Sequence, residues 1–422
     1  GNAGIAAERL AGSGAPVECV GIDADALPEL LALALERRVD LTIVGPDNPL
    51  ALGIVDLFAA QGLAIWGPTR AAARFESSKV FAQRFMEKYG IPTAAAGTFE
   101  DPAAAKRYAG SLGERCVVKA DGLALGKGVV VCEGSEQAGR AIDRIMVERA
   151  FGAAGARVVI QEFLEGTEIS LHALCDGKRA RLFPTAQDHK RALDGDRGPN
   201  TGGMGAYSPT PFLGGAELAA VEASILEPFM RGCAAEDIEY RGILYPGIML
   251  TASGPRVLEL NARFGDPETQ VYLTRLRSDL LELLEASCGG SLDRVALEWD
   301  PQASLCVVMA SGGYPEAYAR DKVISGLEAA GSLPGIKVFH AGTAARAAEI
   351  VTSGGRVLGV TAVGRDLEAA RSAAYEAVGH IRFEGAQFRT DIGGRALAGA
   401  TWERPPTLGL AERADPQGSP AI

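Results

Sequence analysis

Residues 256–270 read RVLELNARFGDPETQ, the most informative pattern in this 422-residue chain. Residues 257–264 predict a strand, in which alternate side chains share a face. Glu259, Asn261 and Arg263 are therefore expected to point the same way. A carboxylate, an amide oxygen and a guanidinium in one row suit a Mg²⁺ ion and the phosphate oxygens that it bridges. The alternative is the solvent face of an amphipathic strand, since polar alternation is common there.

Composition limits the classes of protein to consider. The length predicts two to four domains of roughly 100–200 residues each. A net charge of −11 argues against bulk binding to nucleic acid or to an anionic membrane. The seven cysteines never form a CxxC pair, so neither a zinc site nor a disulfide framework is indicated. A reducing, cytoplasmic setting fits best, and we expect a monomer or a weak homodimer.

Residues 1–97 alternate short apolar runs with helical patterns, which predicts a parallel α/β domain. Strands are expected at 16–22, 40–46 and 63–68, and helices at 26–38 and 50–61. In parallel sheets, ligands bind beyond the carboxyl ends of the strands. Asp47, which follows Gly45 and Pro46, is therefore a candidate ligand-facing carboxylate. The alternative is an ordinary turn or helix-cap Asp.

A glycine-rich turn joins two β-rich runs, 116–120 and 128–132. Lys119 and Lys127 flank this turn, and such a hairpin can wrap phosphates with backbone N–H groups and charge. It is not a P-loop, because valines rather than a helix follow Lys127. The sequence predicts a flexible hairpin lid over a nucleotide, with a plain surface hairpin as the alternative.

Polar and glycine-rich segments follow the hairpin. A strand at 157–161 runs into Glu162, Phe163 and Leu164, whose backbone can bond an adenine edge, while Glu168 can accept from ribose hydroxyls. The DHKR cluster at 188–191 precedes GPNTGGMGAYSP at 198–209, an irregular run that predicts a functional loop. His189 is a general base, a positioning residue or merely an exposed side chain.

The remaining segments predict regular structure. Helices are expected at 217–236, 267–287 and 367–381, and strands at 242–251, 305–310 and 356–363. The expected divisions are an N-terminal domain (1–97), a lid (98–166), a main subdomain (167–300), a C-terminal domain (301–396) and a disordered tail (397–422).

The chain resembles the ATP-grasp superfamily in four features that occur in order: Lys79, KADGLALGKG, QEFLEGTE and LELNARFGDPETQ. Over residues 1 to about 395 the chain also resembles the phosphoribosylamine–glycine ligase family. This resemblance is carried by the runs DLTIVGP, GPNTGGMGAYSP, RFGDPETQ, ASGGYP and TDIG. The resemblance implies a multidomain α/β and α+β chain, with an ATP-grasp fold between a parallel α/β N-terminal domain and a small α/β C-terminal domain. It implies an ATP- and Mg²⁺- or Mn²⁺-dependent ligase that joins glycine to 5-phosphoribosylamine in purine biosynthesis.

The same resemblance implies roles for particular residues. ATP contacts are expected at Lys79, Lys119, Gly126, Lys127, Gly128, Glu162, Phe163, Leu164 and Glu168, and metal ligands at Glu259 and Asn261. Arg263 and Lys119 are expected to act on the transferring phosphoryl group. Substrate contacts are expected at Gly45, Pro46, Asp47, Asp188, Lys190, Asn200, Thr201, Gly202, Gly203, Met204, Asp266 and Pro267.

The sequence departs from the family pattern in four places. The family's first strand and GxGGREHA-type loop have no counterpart, so an incomplete N-terminal domain is expected. Asp47 replaces a usual Glu, Ala153 an Asp, and Arg197 a Thr. The alternatives are another ATP-grasp carboxylate–amine ligase or carboxylase of nucleotide metabolism, and a nucleotide-binding protein without catalysis.

Overall fold

The computed structural model describes residues 1–10, 12–124, 128–399 and 402. Gly126 and Lys127 therefore lie outside the described residues, as does most of the expected tail at 397–422. The described residues confirm a multidomain mixed α/β fold. None of their helices combines the length and apolar character needed to cross a lipid bilayer.

The N-terminal segment contains helices on either side of a small parallel sheet. Its elements are α1 (Ala3–Ala7), α2 (Leu27–Arg37), β1 (Thr42–Ile43), α3 (Asp47–Leu52), α4 (Ile54–Ala59), β2 (Ile65–Trp66), α5 (Arg70–Ser77) and α6 (Lys79–Lys88). The predicted parallel pairing is confirmed, with Thr42 opposite Ile65. The predicted strand at 16–22 is wrong, because the described part of this stretch forms no strand and makes only one isolated bridge, between Arg9 and Pro16.

The next segment folds as an antiparallel sheet covered by helices. It contains β3 (Ala96–Phe99), α7 (Pro102–Ser111), β4 (Arg115–Ala120), β5 (Val129–Glu133), α8 (Ser135–Ile142) and β6 (Val158–Glu162). The strand order is β3-β6-β4-β5. Val118, Ile142 and Ile160 are fully buried between sheet and helices. The predicted hairpin of 116–120 and 128–132 is confirmed as β4 and β5, with Cys116 opposite Cys132.

A second sheet is built around one long strand. The elements are β7 (Thr167–Ser170), β8 (Ala173–Asp176), β9 (Ala180–Leu182), β10 (Gln187–Asp188), β11 (Arg191–Leu193), β12 (Arg197–Asn200), β13 (Gly205–Ser208), α9 (Gly215–Val221), α10 (Glu227–Ala235), β14 (Arg241–Thr251), β15 (Gly254–Asn261), α11 (Glu268–Leu273) and α12 (Leu280–Gly289). The order is β15-β14-β8-β9, and β7 also pairs with β14. The predicted helix at 217–236 is formed by α9 and α10, joined by a π-helical turn.

Three predictions in this segment need correction. The strand predicted to reach residue 264 ends at Asn261. The helix predicted at 267–287 is interrupted, because the backbone of Arg275 and Arg277 bonds to Asp300 and Glu298 instead of continuing the helix. The loop predicted at 198–209 contains β12 and β13, since its backbone finds partners in β11 and in a strand of the C-terminal segment.

The C-terminal segment completes a third sheet. It contains β16 (Ala303–Ala310), α13 (Leu327–Gly331), β17 (Ile336–His340), β18 (Thr343–Arg346), β19 (Glu349–Thr352), β20 (Arg356–Gly364), α14 (Leu367–His380) and α15 (Gly394–Leu397). The order β10-β13-β16-β20-β17 places two strands from the preceding segment in this sheet. The third sheet therefore ties residues 187–208 to the C-terminal segment. The predicted helix at 367–381 is α14, and Asp366 caps its start by accepting from Ala369 N at 2.8 Å.

Candidate active site

A cleft with a volume of about 1290 Å³ is lined by the β3–β6 sheet, the β7/β14/β15 sheet, the 187–202 segment and the N-terminal segment. The predicted residues that line it are Gly45, Pro46, Asp47, Lys79, Lys119, Gly128, Glu162, Phe163, Leu164, Glu168, Asp188, Lys190, Asn200, Thr201, Gly202, Glu259, Asn261, Arg263 and Asp266. Gly203, Met204 and Pro267 are not among the lining residues, and Met204 is fully buried in the sheet. One cleft therefore collects most of the residues selected from sequence.

The carboxylate of Glu259 lies among ammonium groups. Lys190 Nζ is 3.5 Å from Glu259 Oε1 and 2.5 Å from Glu168 Oε1. Burial tends to raise the pKa of Glu259, but Lys190, Lys119 and Lys79 outweigh it and lower the pKa to about 2. Glu259 is therefore ionised at neutral pH and available to a cation.

Lys119 is a buried lysine near the end of β4. Its Nζ donates to the backbone oxygen of Leu258 at 2.7 Å, which fixes the ammonium beside Glu259. Burial lowers the pKa of Lys119 to about 8, although Glu259 acts in the opposite direction. The lysine thus carries its charge at neutral pH and can lose it in mild alkali.

Asn261 and Glu259 fit a hard divalent cation. Asn261 Nδ2 donates to Tyr245 O at 3.2 Å, which leaves the amide oxygen as the coordinating atom in the cleft. Within the described part of the chain, no group of three or more His, Cys, Asp or Glu side chains could hold a metal ion by itself. Two protein oxygens completed by phosphate and water oxygens match the coordination habit of Mg²⁺.

Arg263 reaches the cleft from just beyond the end of β15. Its Nη1 donates to Phe264 O at 3.0 Å, and its Nη2 is 3.0 Å from Glu76 Oε1. Arg263 was predicted to share a face with Glu259 and Asn261, and all three line the same cleft, although the strand ends at Asn261. Beyond the strand, an ion pair with Glu76 of α5 holds the guanidinium. Sequence patterns gave no signal for Glu76, because this contact joins residues far apart in the chain.

Lys79 begins α6 and projects toward the lid. Ser78 caps the helix by accepting from Phe81 N at 3.2 Å, and its hydroxyl donates to Asp121 at 2.9 Å. Lys79 Nζ donates to Gly122 O at 3.0 Å. The helix start and the turn after β4 therefore hold this ammonium at the cleft.

The predicted adenine connector follows β6. The Glu162 carboxylate accepts from the backbone N–H of Ala95 at 2.9 Å, so it is occupied in joining β6 to β3. The guanidinium of Arg115 lies 3.5 Å from the centre of the Phe163 ring. Stacking of this kind orients the ring at the edge of the cleft. The structure thus brings Glu162, Phe163 and Leu164 to the same cleft as Lys79 and Lys119.

Asp188 and Asp266 line the same cleft, and Arg356 holds Asp266 and the backbone of Gly202 in place. Arg356 Nη1 donates to Gly202 O at 2.6 Å and to Asp266 O at 2.7 Å, while Nη2 pairs with Asp266 Oδ2 at 3.0 Å. Among the described residues, Asp188 Oδ1 is buried without a hydrogen-bond partner. Burial, followed by the charge of Glu268, raises the pKa of Asp188 well above its usual range. Arg356 stands at the start of an apolar strand, where sequence gives no signal for this role.

His189 is a positioning residue rather than a base. Its Nε2 accepts from Gly393 N at 3.3 Å, and its Nδ1 lies 3.2 Å from Gly205 O. Burial, aided by Arg389, lowers its pKa to about 4, so the ring is neutral at physiological pH. Both ring nitrogens are engaged inside the fold, where His189 joins the 187–202 segment to the C-terminal segment.

Arg389 makes a second connection to the same segment and was missed from sequence. It is almost fully buried, with Nε and Nη2 on the Asp391 carboxylate at 2.7 and 2.8 Å. Its Nη1 donates to Asp196 at 2.8 Å and to Arg191 O at 3.2 Å. The cluster fixes the turn between β11 and β12. Arg389 stands directly before the TDIG motif, but its partner Asp196 lies 193 positions away in the sequence.

A β-hairpin, two lysines that line the cleft and a carboxylate–amide pair on the edge strand β15 are the features of an ATP-dependent ligase of the ATP-grasp class. The biotin carboxylase domain of Hydrogenobacter thermophilus 2-oxoglutarate carboxylase shares this fold. It has a TM-score of 0.67 and 18% identity over 88% of this chain and 81% of that one.

The chain belongs to the phosphoribosylglycinamide synthetase family. The family's N domain matches residues 1–76, its ATP-grasp (A) domain residues 77–269 and its C domain residues 304–395. The phosphoribosylamine–glycine ligase of Vibrio cholerae is 47% identical over 94% of this chain and 91% of its own length, and that of Ralstonia nicotianae is 50% identical over 88% of each. The crystal structure of the Thermotoga maritima phosphoribosylamine–glycine ligase has a TM-score of 0.77 and 32% identity, covering 90% of both chains.

Proposed function

We propose that this chain joins glycine to 5-phosphoribosylamine at the expense of ATP and yields glycinamide ribonucleotide, ADP and phosphate in purine biosynthesis. The observation that carries the proposal is the convergence of Lys79, Lys119, Glu259, Asn261 and Arg263 in one cleft of a chain of this family. We place the reaction in the cytoplasm, on a monomer or weak homodimer.

The glycine carboxylate is a weak electrophile, and this property determines the order of the chemical steps. The glycine carboxylate resists attack by an amine, so one of its oxygens first takes the γ-phosphoryl group of ATP, which gives glycyl phosphate and ADP. The amine of phosphoribosylamine then attacks the acyl carbon, the C–O bond to phosphate breaks, and the amine loses a proton. Phosphoryl transfer of this kind depends chiefly on positioning and charge neutralisation, so no protein nucleophile is required.

The cations of the cleft supply that neutralisation. Lys79 and Lys119 lie where they can pair with phosphate oxygens, and Arg263 presents the planar donor set that suits the transferring phosphoryl group. Glu162, Phe163 and Leu164 receive the adenine, and Glu168 receives the ribose.

Glu259 and Asn261 are the residues that hold Mg²⁺ or Mn²⁺. A divalent cation bound there draws charge from the phosphate oxygens and orients them. The depressed pKa of Glu259 keeps this ligand ionised. Lys190, which pairs with both Glu259 and Glu168, offsets the repulsion between the two carboxylates.

The opposite end of the cleft receives the two remaining substrates. Asp188, Lys190 and the 200–203 turn lie near glycine and phosphoribosylamine, and Asp266 and Pro267 complete that wall. Gly203 supports the wall from behind, because a side chain there would meet Asp188 and Pro267. Gly45, Pro46 and Asp47 serve the phosphoribosyl end. Met204 supports the same wall from a buried position just before β13, where its backbone oxygen accepts from Val308 N at 3.0 Å.

The test is ADP release by the purified protein with Mg-ATP, glycine and phosphoribosylamine, each omitted in turn. We expect release only when all three are present, with glycinamide ribonucleotide as the product. Release with a different carboxylate or amine would indicate another ATP-grasp ligase. Mg-ATP binding without substrate-dependent release would indicate a nucleotide-binding protein without catalysis.

A further inference from the structure

Glu76 is a buried carboxylate on the last turn of α5, in the N-terminal segment. Its Oε2 accepts from the backbone N–H of Ala262 at 2.8 Å, and its Oε1 pairs with Arg263 Nη2 at 3.0 Å. Both oxygens therefore hold the two residues that follow the end of β15. Glu76 itself carries none of the roles proposed above for ATP, metal or substrates.

The end of the strand explains why Arg263 needs this partner. The β14–β15 ladder ends with Tyr245 opposite Asn261, so no strand pairing fixes the backbone beyond Asn261. A long guanidinium side chain loses much rotamer freedom when it is held in one place, unless a fixed partner defines its position. Glu76 supplies a fixed partner for the side chain and, through Ala262, for the backbone beside it.

The geometry leaves part of the guanidinium free for the cleft. Arginine carries five N–H donors in a rigid plane. Glu76 engages Nη2 and Phe264 O engages Nη1, while 27% of the Arg263 side chain stays exposed to the cleft. A buried carboxylate without its cation is strongly unfavourable, so Arg263 in turn stabilises the negative charge of Glu76.

The same segment carries the first phosphate-facing lysine. Glu76 lies three residues before Lys79, and the turn between α5 and α6 is capped by Ser78. The stretch from Glu76 to Lys79 therefore positions the Lys79 ammonium directly and the Arg263 guanidinium through an ion pair.

We propose that Glu76 is a positioning residue that orients Arg263 toward the transferring phosphoryl group, an inference that rests on the proposed function. Glu76 touches no reacting atom and acts only through Arg263 and the backbone N–H of Ala262. Its loss lowers the rate of the phosphoryl transfer and leaves the binding of ATP nearly unchanged.

The test compares Glu76→Gln with the wild type in the ADP-release assay. We expect kcat to fall at least about tenfold while the KM for ATP changes less than about threefold. Glu236→Gln is the matched control, because Glu236 also joins two segments, through Lys88 at 2.8 Å and Tyr89 at 3.2 Å, but does not line the cleft. The control is expected to stay within about twofold of the wild type.

A double-mutant cycle separates positioning from general support of the fold. In an Arg263→Lys background, Glu76→Gln is expected to lower kcat less than about twofold, because the group that it orients is already altered. A full tenfold fall in that background, or a change confined to KM, would overturn the proposal. If Glu76→Gln does not fold, as judged by circular dichroism, the same cycle with Glu76→Asp decides. A wild type that releases no ADP would instead refute the proposed function.

Discussion

The ammonium group of Lys190 donates to Glu168 Oε1 at 2.5 Å and lies 3.5 Å from Oε1 of the proposed metal ligand Glu259. Burial alone would lower the pKa of Lys190, but the surrounding carboxylates raise it well above its usual range. The cleft therefore contains a set of charges that already pair with one another. A phosphate-bearing ligand that brings its own cation exchanges partners within this set and does not have to create a charged site.

Replacement of Glu259 by alanine tests the metal site. We expect Glu259→Ala to fold normally and to lose at least about 100-fold in Mg-dependent turnover, because one of two protein ligands is gone. Circular dichroism and steady-state ADP release measure the two effects. Glu384→Ala is the control, since Glu384 is exposed and pairs with Lys322 at 2.6 Å, and neither residue lines the cleft. Near-normal activity of Glu259→Ala would remove this residue from the metal site.

The pH dependence of ATP use tests Lys119. Its ammonium form pairs with phosphate, and this form is lost as the pH rises through its pKa of about 8. We expect kcat/KM for ATP to decline above about pH 8, since this parameter reports the free enzyme. In Lys119→Arg the decline should move to higher pH, because arginine stays protonated. Lys106→Arg, which alters an exposed lysine paired with Asp143, should leave the profile in place.

Much of this cleft was predictable because its motifs follow local rules. The β4–β5 hairpin, the connector after β6 and the strand that carries Glu259 and Asn261 are each encoded within a dozen residues. The interrupted helix at 267–287 was missed because Arg275 and Arg277 find backbone partners in residues 298–300. The domain limits at 97, 166 and 300 remain predictions.

Residues that act across long sequence separations were not predictable. Glu76, Arg356 and Arg389 look like ordinary surface charges in the sequence, and only the packing of distant segments gives them partners. The partner of Arg263 was unpredictable for the same reason. The strand stops at Asn261, and a contact from another segment determines where the guanidinium points.

Removal of the buried guanidinium of Arg389 should weaken the fold. Arg389→Met leaves the Asp391 carboxylate without its cation and Asp196 with Arg395 as its remaining cation, and we expect the free energy of unfolding to fall by about 3 kcal/mol. Urea unfolding at neutral pH measures the change. Arg365→Met is the control, because its ion pair with Asp366 is largely exposed and should contribute less than about 0.5 kcal/mol. Equal stability of the two variants would contradict this role for Arg389.

Gly203 tests the packing of the substrate wall. Its φ is +112°, and an added Cβ would lie 2.5 Å from Pro267 Cδ and 2.7 Å from Asp188 Oδ1. We expect Gly203→Ala to destabilise the protein by about 1–3 kcal/mol and to lower turnover, because Asp188 must move. Gly134→Ala is the matched control, since its φ is +95° but its surroundings are open. An equal loss in both variants would show that backbone strain alone is responsible.

The third sheet has a consequence for the connectivity of the chain. β13 (Gly205–Ser208) pairs with β16 (Ala303–Ala310) along its whole length, while the exposed pair Asp293 and Arg294 lies in the connection between α12 and β16. A protease that cuts this connection would leave two polypeptides held together by a shared ladder of backbone hydrogen bonds. The chain is thus suited to reconstitution as a split enzyme, in which the halves need each other to complete a sheet.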